Sequence, residues 1–368
     1  MKKVFIAATR QNDGKTTVSL GLFKALKERD PSIQYMKPVG QQTVEINGNK
    51  IDKDTVLFQQ TFQLPHHSLP LMSPVASPKG FTEHYIQKPS PLKLQHAILN
   101  ANKHLSASCE TILYEGTGHA GVGSVFDHSN AQVAQLLNAP VILVSIGGIG
   151  KSIDEIMLNA AVFKALGVPI MGVIINKVLP EKYDKINTIV REGLKRLNIN
   201  VLGVLPLNNH LTHPTISSII DELKPNILYL PSNGKNNIIE KFLIGDMMPH
   251  NALDHFSQNT LMIVPGNREG LVLTALCENL LTNGPHLVSG IVFTNGIRPH
   301  QKILDLLYTS QIPLFMVEED AFLIATKINH MIVKIRSEDK NKIAIASDLI
   351  KRYVDVDAIY TQMETNSQ

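Results

Sequence analysis

The chain has 368 residues, 43% of them hydrophobic and 18% charged, with a formal net charge of +3. That length suits two ordinary domains with separate cores, and so small a charge excludes a strong electrostatic case for nucleic acid or a membrane surface as partner. The longest apolar runs fall well short of the ~18 residues of a transmembrane helix, and the Met1-Lys2-Lys3 start runs too soon into polar Arg10-Gln11-Asn12-Asp13 for a signal peptide.

A cytoplasmic protein is therefore expected. The two cysteines, Cys109 and Cys277, lie far apart in segments that read as buried helices. That predicts core thiols rather than a disulfide frame or a zinc site.

The first strand-like run, 4–7, leads through Ala8-Thr9-Arg10-Gln11-Asn12-Asp13-Gly14 into an apolar-periodic helix over 15–28 that begins Lys15-Thr16-Thr17. Strand, tight loop and helix is the setting of a phosphate-binding P-loop, in which loop N–H groups and the positive end of the helix surround the phosphates. The nucleotide-binding candidates are Asn12, Gly14, Lys15, Thr16 and Thr17. Lys15 supplies charge at the β- and γ-phosphates, the Thr16 hydroxyl ligates Mg²⁺, and Gly14 keeps a side chain off the phosphate. The strict pattern has Gly where this chain has Thr9. The bland alternative is a strand-to-helix turn with a surface lysine, and Asp13 opposes the site unless its carboxylate turns to solvent.

Further Val- and Ile-rich runs at 34–36, 111–114, 141–145, 170–175 and 201–205 are separated by helix-length segments, including 130–137, 154–166 and 182–197. This alternation predicts an α/β fold with a parallel sheet covered on both faces, and ligands at the carboxyl ends of its strands. Lys37 follows the second strand and would project into the same crevice as a second catalytic lysine beside Lys15. Asp52 and Asp54 open a helix and Glu115 ends the next strand. These acids are the supply of Mg²⁺ ligands, with Asp54 and Glu115 favoured alongside Thr16 and Asp52 equally a plain helix cap.

After Glu115 comes a stretch with four glycines in eight positions, Gly116-Thr117-Gly118-His119-Ala120-Gly121-Val122-Gly123. It lets backbone approach a ligand, and the helix after it offers unpaired N–H groups, so Gly116, Thr117, Gly118 and His119 are candidates for holding an anionic substrate group. The alternative is a flexible loop with a solvated histidine. Asn176 ends the strand at 170–175 and could present its amide to an adenine edge.

Pro225 and the polar run at 232–237 mark a boundary. A first domain at 1–225, a smaller α/β domain at 226–355 and a polar, frayed tail at 356–368 are expected. In the second domain, strands are expected at 261–264, 287–293 and 313–317, with helices near 268–281, 300–309 and 320–328.

With Gly14-Lys15-Thr16-Thr17, Lys37-Pro38-Val39, Asp54, Glu115-Gly116 and Asn176 in this order, the first ~220 residues resemble the dethiobiotin synthetase family of P-loop proteins. The run from Glu115 to Asp127 and the run from Gly147 to Glu155 are closer to the synthetase-like domain that precedes the catalytic part of long phosphate acetyltransferases. Residues 226–355 are similar to its accompanying DRTGG domain through Gly266-Asn267-Arg268-Glu269 and Thr294-Asn295-Gly296. The resemblance implies ATP and Mg²⁺ as cofactors and a dimer with sites near its interface. It also implies an ATP-dependent reaction on a small acceptor, a carboxylate or carbamate, or else nucleotide sensing without turnover; acetyl transfer is not expected. Against the family pattern, Arg10 stands where relatives carry Gly and Asp13 where they carry a small apolar residue. Arg10 either pairs with Asp13 or itself meets the γ-phosphate.

Overall fold

The computed structural model describes residues 1–281, 287–331 and 333–366. They form two compact units, Met1–Asn208 with Ile335–Gln368, and Asn209–Lys334. The first unit is built on strands β1 (Lys2–Ala8), β2 (Gln34–Met36), β3 (Thr111–Glu115), β4 (Val141–Ile146), β5 (Ile170–Val178) and β6 (Val201–Pro206). Their spatial order is β6-β5-β4-β1-β3-β2, and every neighbouring pair is parallel. Val4 through Ala8 and Val141 through Val144 are fully buried, as the central strands of a sheet covered on both faces must be. The covering helices are α1 (Lys15–Lys27), α2 (Lys53–Phe62), α3 (Pro91–Ser106), α4 (Asn130–Leu136), α5 (Gly150–Ala165) and α6 (Tyr183–Arg196). The chain moves outward from β1 first to β2 and β3 and then to β4 through β6. The direction of winding therefore reverses beside β1, and the crevice at the carboxyl ends of β1, β3 and β4 is where ligands bind in such sheets.

The expected division of the chain needs correction. The first unit ends at Asn208, and the polar run at 232–237 lies inside the second unit. The chain then returns to the first unit through α7 (Lys340–Tyr353) and α8 (Val356–Thr365). Helix α7 lies directly on α1 at Gly21, where a Cβ would fall 2.4 Å from Ile350 Cγ1 and 2.5 Å from the Ala346 carbonyl oxygen. The residues expected to fray form α8 instead, and only 367–368 of that span lie outside the described residues. Val356, Ile359 and Met363 recur at helical spacing and are buried, each contributing ~1.5–3 kcal/mol from apolar burial. The Asp355 carboxylate caps the helix by accepting the Ala358 N–H at 2.9 Å.

The second unit has its own sheet of β7 (Asn226–Tyr229), β8 (Lys241–Ile244), β9 (Thr260–Pro265), β10 (Val288–Thr294) and β11 (Leu314–Met316), in the order β7-β11-β10-β9-β8. Its strands pair in parallel except for β7, which runs antiparallel along the edge. One face buries Leu271, Phe293 and Leu304, and the other Ile219, Phe315 and Ile324. The cysteine expectation fails in part: Cys277 is exposed on helix Glu269–Leu281, and Cys109 is half-buried in the turn before β3. The Glu269–Leu281 helix is apolar around most of its circumference, so composition cannot say which side faces the core.

Candidate nucleotide site

The Thr9 N–H extends the sheet by donating to the Val144 carbonyl at 2.9 Å. The chain then turns through residues 10–14 into α1, with Asn12 at φ 68° and Gly14 at φ 94°. A Cβ at Gly14 would sit 2.2 Å from Asn176 Nδ2, so dihedral and space both call for glycine. No side chain caps α1, and its first turn holds no acid. The N–H groups of Lys15, Thr16 and Thr17, which have no acceptor within the helix, are thus left at its positive end.

Asp13 does not turn to solvent. It is 2% exposed, and its Oδ2 accepts the Thr9 hydroxyl at 2.8 Å and the Arg10 N–H at 2.7 Å. Burial holds its carboxyl above the usual range, with those two bonds pulling the other way. The Arg10 guanidinium pairs with Glu155 of α5 rather than with Asp13. At the end of β5, the Asn176 amide donates to the Asp13 carbonyl and accepts the Lys177 N–H, each at 2.9 Å. The Lys177 ammonium donates to the Asn12 carbonyl at 2.8 Å. Asn176, expected at an adenine edge, is therefore 5% exposed and braces the loop from behind. Lys177 is an additional brace that the sequence reading passed over; its signal is a charged residue near the end of a buried strand.

Beneath the loop, the Thr16 hydroxyl donates to Glu115 Oε1 at 2.8 Å, and the Tyr35 hydroxyl donates to Oε2 at 3.3 Å. Glu115 is 1% exposed. Burial pushes its carboxyl above the usual range, opposed by the Lys37 and Lys15 ammonium groups and the Thr16 bond. Lys15 is half-buried and, among the described residues, its ammonium makes no hydrogen bond or ion pair. Burial lowers its pKa, with Glu115 opposing.

Lys37 is placed differently from expectation. Its ammonium is buried in an ion pair with Asp54 and lies 3.2 Å from Asp52. Burial alone would lower its pKa, but Asp54, Asp52 and Glu115 outweigh burial and raise it well above the usual value. Asp52 also caps α2, accepting the Asp54 N–H at 2.9 Å. Thr16 and Glu115 are thus brought together, whereas the Asp54 carboxylate faces Lys37. No group of three or more His, Cys, Asp or Glu is placed to hold a metal ion among the described residues. The physical reason is that two buried carboxylates require a cation, and Lys37 at the end of β2 is in reach.

The glycine-rich loop after β3 is pinned rather than free. Thr117 donates its N–H to Asn130 Oδ1 at 3.0 Å and its hydroxyl to the Val39 carbonyl at 2.5 Å. Asn130 Nδ2 in turn donates at 2.7 Å to the carbonyls of Thr117 and His119. The start of α4, expected to offer free N–H groups, carries a complete capping box between Ser129 and Gln132. His119 is exposed, and its Nδ1 accepts the Gly121 N–H at 3.2 Å within the same turn. Gly116 and Gly118 are buried in this loop. Asn130, which fixes the loop, had no distinguishing signal beyond its place after a cap residue.

Proteins of known name resemble most of the chain. The phosphate acetyltransferase of Nitratidesulfovibrio vulgaris is 25% identical over 363 residues, covering 96% of this chain and 50% of that protein. The chain spans about half the length of the phosphate acetyltransferases it matches. The ATP-dependent dethiobiotin synthetase of Nitrosopumilus maritimus is 25% identical over 222 residues, covering 60% of this chain and 95% of that protein. Among solved structures, a putative plasmid partition protein from Borrelia burgdorferi bound to AMPPNP superposes with a TM-score of 0.38 and 14% identity over 57% of this chain and 88% of that one. That likeness is too loose to carry an argument. No helix among the described residues is long and apolar enough to cross a membrane. The AAA domain model matches residues 2–215, more than half of the chain, and the DRTGG domain model residues 218–331, so the protein belongs to this P-loop family, AAA_26, and carries a DRTGG domain.

Proposed function

We propose that the first unit binds MgATP at the loop between β1 and α1 and transfers its terminal phosphoryl group to water or to a small carboxylate or carbamate. The observation that carries this reading is the open start of α1, with an unpaired Lys15 beside a Thr16 hydroxyl already bonded to Glu115. Lys15, Thr16 and Thr17 offer N–H groups to phosphate oxygens, and Lys15 offers charge. The donor set of one hydroxyl and carboxylates is hard oxygen chemistry, which suits Mg²⁺; Thr16 and Glu115 would hold it, joined by Asp54 once its carboxylate leaves Lys37. When bound there, the metal would supply positive charge to offset that of the phosphates. In the transfer, the bond from the γ-phosphorus to the bridging oxygen breaks and a new phosphorus–oxygen bond forms to the acceptor. Lys37 released from Asp54 would join Lys15 in stabilising the transferred charge. The pinned loop from Gly116 to His119 is the candidate acceptor wall, through its backbone.

The relationship to an ATP-dependent synthetase supports the nucleotide. We also propose a cytoplasmic homodimer as the working form. Phosphate release measured with ATP and Mg²⁺ tests turnover: release that vanishes in Lys15→Ala supports the enzyme. A second reading, nucleotide sensing without turnover, is favoured by the Lys37 ammonium lying between two carboxylates rather than open to a phosphate. Saturable ATP binding with no phosphate release would select it.

A further inference from the structure

Helix α5 carries a buried asparagine in its middle. Asn159 is 6% exposed, and asparagine is a weak helix former, so its place there depends on the bonds its amide makes. Its Oδ1 accepts the Ala120 N–H at 2.9 Å, and its Nδ2 donates to the Thr9 carbonyl at 3.2 Å and to the Glu155 carbonyl at 2.9 Å. These partners fix which way the amide points, because an N–H can only donate and a carbonyl can only accept. Ala120 directly follows the pinned loop from Gly116 to His119, and Thr9 opens the phosphate loop. One amide from a third element therefore holds both walls of the candidate site.

Two neighbours on α5 hold the phosphate loop as well. Glu155 pairs with Arg10. The Ser152 hydroxyl lies 3.2 Å from that of Ser145, which in turn lies 3.0 Å from the Thr9 hydroxyl. Neither the Glu155 nor the Ser152 side chain bonds the loop after β3. The backbone adds one link between the loops, from the Ala8 N–H to the Gly118 carbonyl at 3.3 Å; it is long for such a bond and lies ahead of the turn. Asn159 reaches the turn itself.

We propose that Asn159 is a positioning residue that holds the phosphate loop and the acceptor loop at a fixed separation, so that a change in one is passed to the other. Transfer of a phosphoryl group needs donor and acceptor aligned at contact distance. A single planar amide bonded to both loops sets that distance with few soft torsions between them. The consequence for transfer rests on the reading of the first unit as an ATP site; the clamp does not.

Asn159→Ala removes both bonds, and Asn159→Leu removes them while filling the space, so a result shared by the two is not the effect of a void. If one variant fails to fold by circular dichroism, the other carries the comparison. Backbone amide NMR of the full chain reads the loops, with AMPPNP and Mg²⁺ as the probe. In the parent, signals of Lys15 to Thr17 and of Ala120 should move together as the probe is added. In the variants the movement at Lys15 to Thr17 should persist, while that at Ala120 should fall at least about threefold. Gly14→Ala repeats the test without a ligand, because it distorts the phosphate loop from within. It should shift the Ala120 signal in the parent background and leave it in place when Asn159 is replaced. An Ala120 signal that ignores both perturbations in the parent, or answers them equally in parent and variants, would overturn the proposal. If AMPPNP does not bind, the nucleotide reading falls, and the Gly14→Ala comparison decides the clamp.

Discussion

Two loops in this molecule have the same plan and opposite outcomes. In the first unit β1 passes through Gly14 into α1, and in the second β9 passes through Gly266 into the helix Glu269–Leu281. Both lie at the carboxyl end of a parallel strand, where a helix start is available to an anion. In the first unit the helix begins with Lys15, Thr16 and Thr17, with no capping side chain and no acid in its first turn. In the second it begins with Glu269, whose carboxylate accepts the His300 N–H at 3.0 Å, while the Arg268 guanidinium donates to the Asp246 carbonyl at 2.8 Å. The second helix thus supplies its own negative charge and engages its own cation. Topology provides the site, and the first few residues of the helix decide whether it stays open.

The largest expected effect concerns the charges stored behind the open loop. Lys37→Met leaves Asp52 and Asp54 buried without their cation and should cost ~3–5 kcal/mol in urea unfolding. A loss near zero would mean that the pair is not a buried unit. Gly14→Ala combines a left-handed dihedral with a clash against Asn176 Nδ2 and should cost ~1–3 kcal/mol of stability; adding Asn176→Ala should recover only the part due to the clash, as a double-mutant cycle would show.

A pair of substitutions attacks the comparison directly. Thr17→Glu puts an acid in the first turn of α1, as in the second unit; it should stabilise the helix by ~0.3–1 kcal/mol while weakening ATP binding. Glu269→Gln should lose a similar small amount and leave ATP binding untouched. Opposite movement of stability and affinity in the first variant is what distinguishes an open helix start from an ordinary one.

The smallest effect is a pH dependence. Because burial raises the Asp13 pKa in the folded chain, the protonated acid is the form folding favours. Its contribution to stability is fully present below the ordinary carboxylate pKa and is lost as pH rises through the raised folded value. Asp13→Asn should therefore be slightly more stable than the parent at neutral pH, with the difference closing in acid. Unfolding curves at two pH values check the sign.

Much of this was legible because it is local. Strand β1, the turn around Gly14 and helix α1 follow from neighbouring residues, as do the Val- and Ile-rich strands of both sheets. What escaped depends on distant partners. The polar composition of the last residues hid the stripe of Val356, Ile359 and Met363, and the return of α7 to the first unit shows only when Gly21 meets Ile350. Likewise the sequence names Lys37, Asp54 and Asn176 as site candidates, but which atom each side chain faces is set by contacts across the sheet. The Ser129 capping box was written in the sequence and closed a helix start that glycine content alone made look open.

The central claim is that the open start of α1 and the ammonium of Lys15 cradle a polyphosphate. Titration calorimetry of the full chain with ATP in the presence of Mg²⁺ tests it most directly. Saturable binding that weakens ~10–100-fold in Lys15→Ala, with the fold intact by circular dichroism, is the result predicted. An absence of binding by the parent protein, or equal affinity in the two proteins, would contradict it.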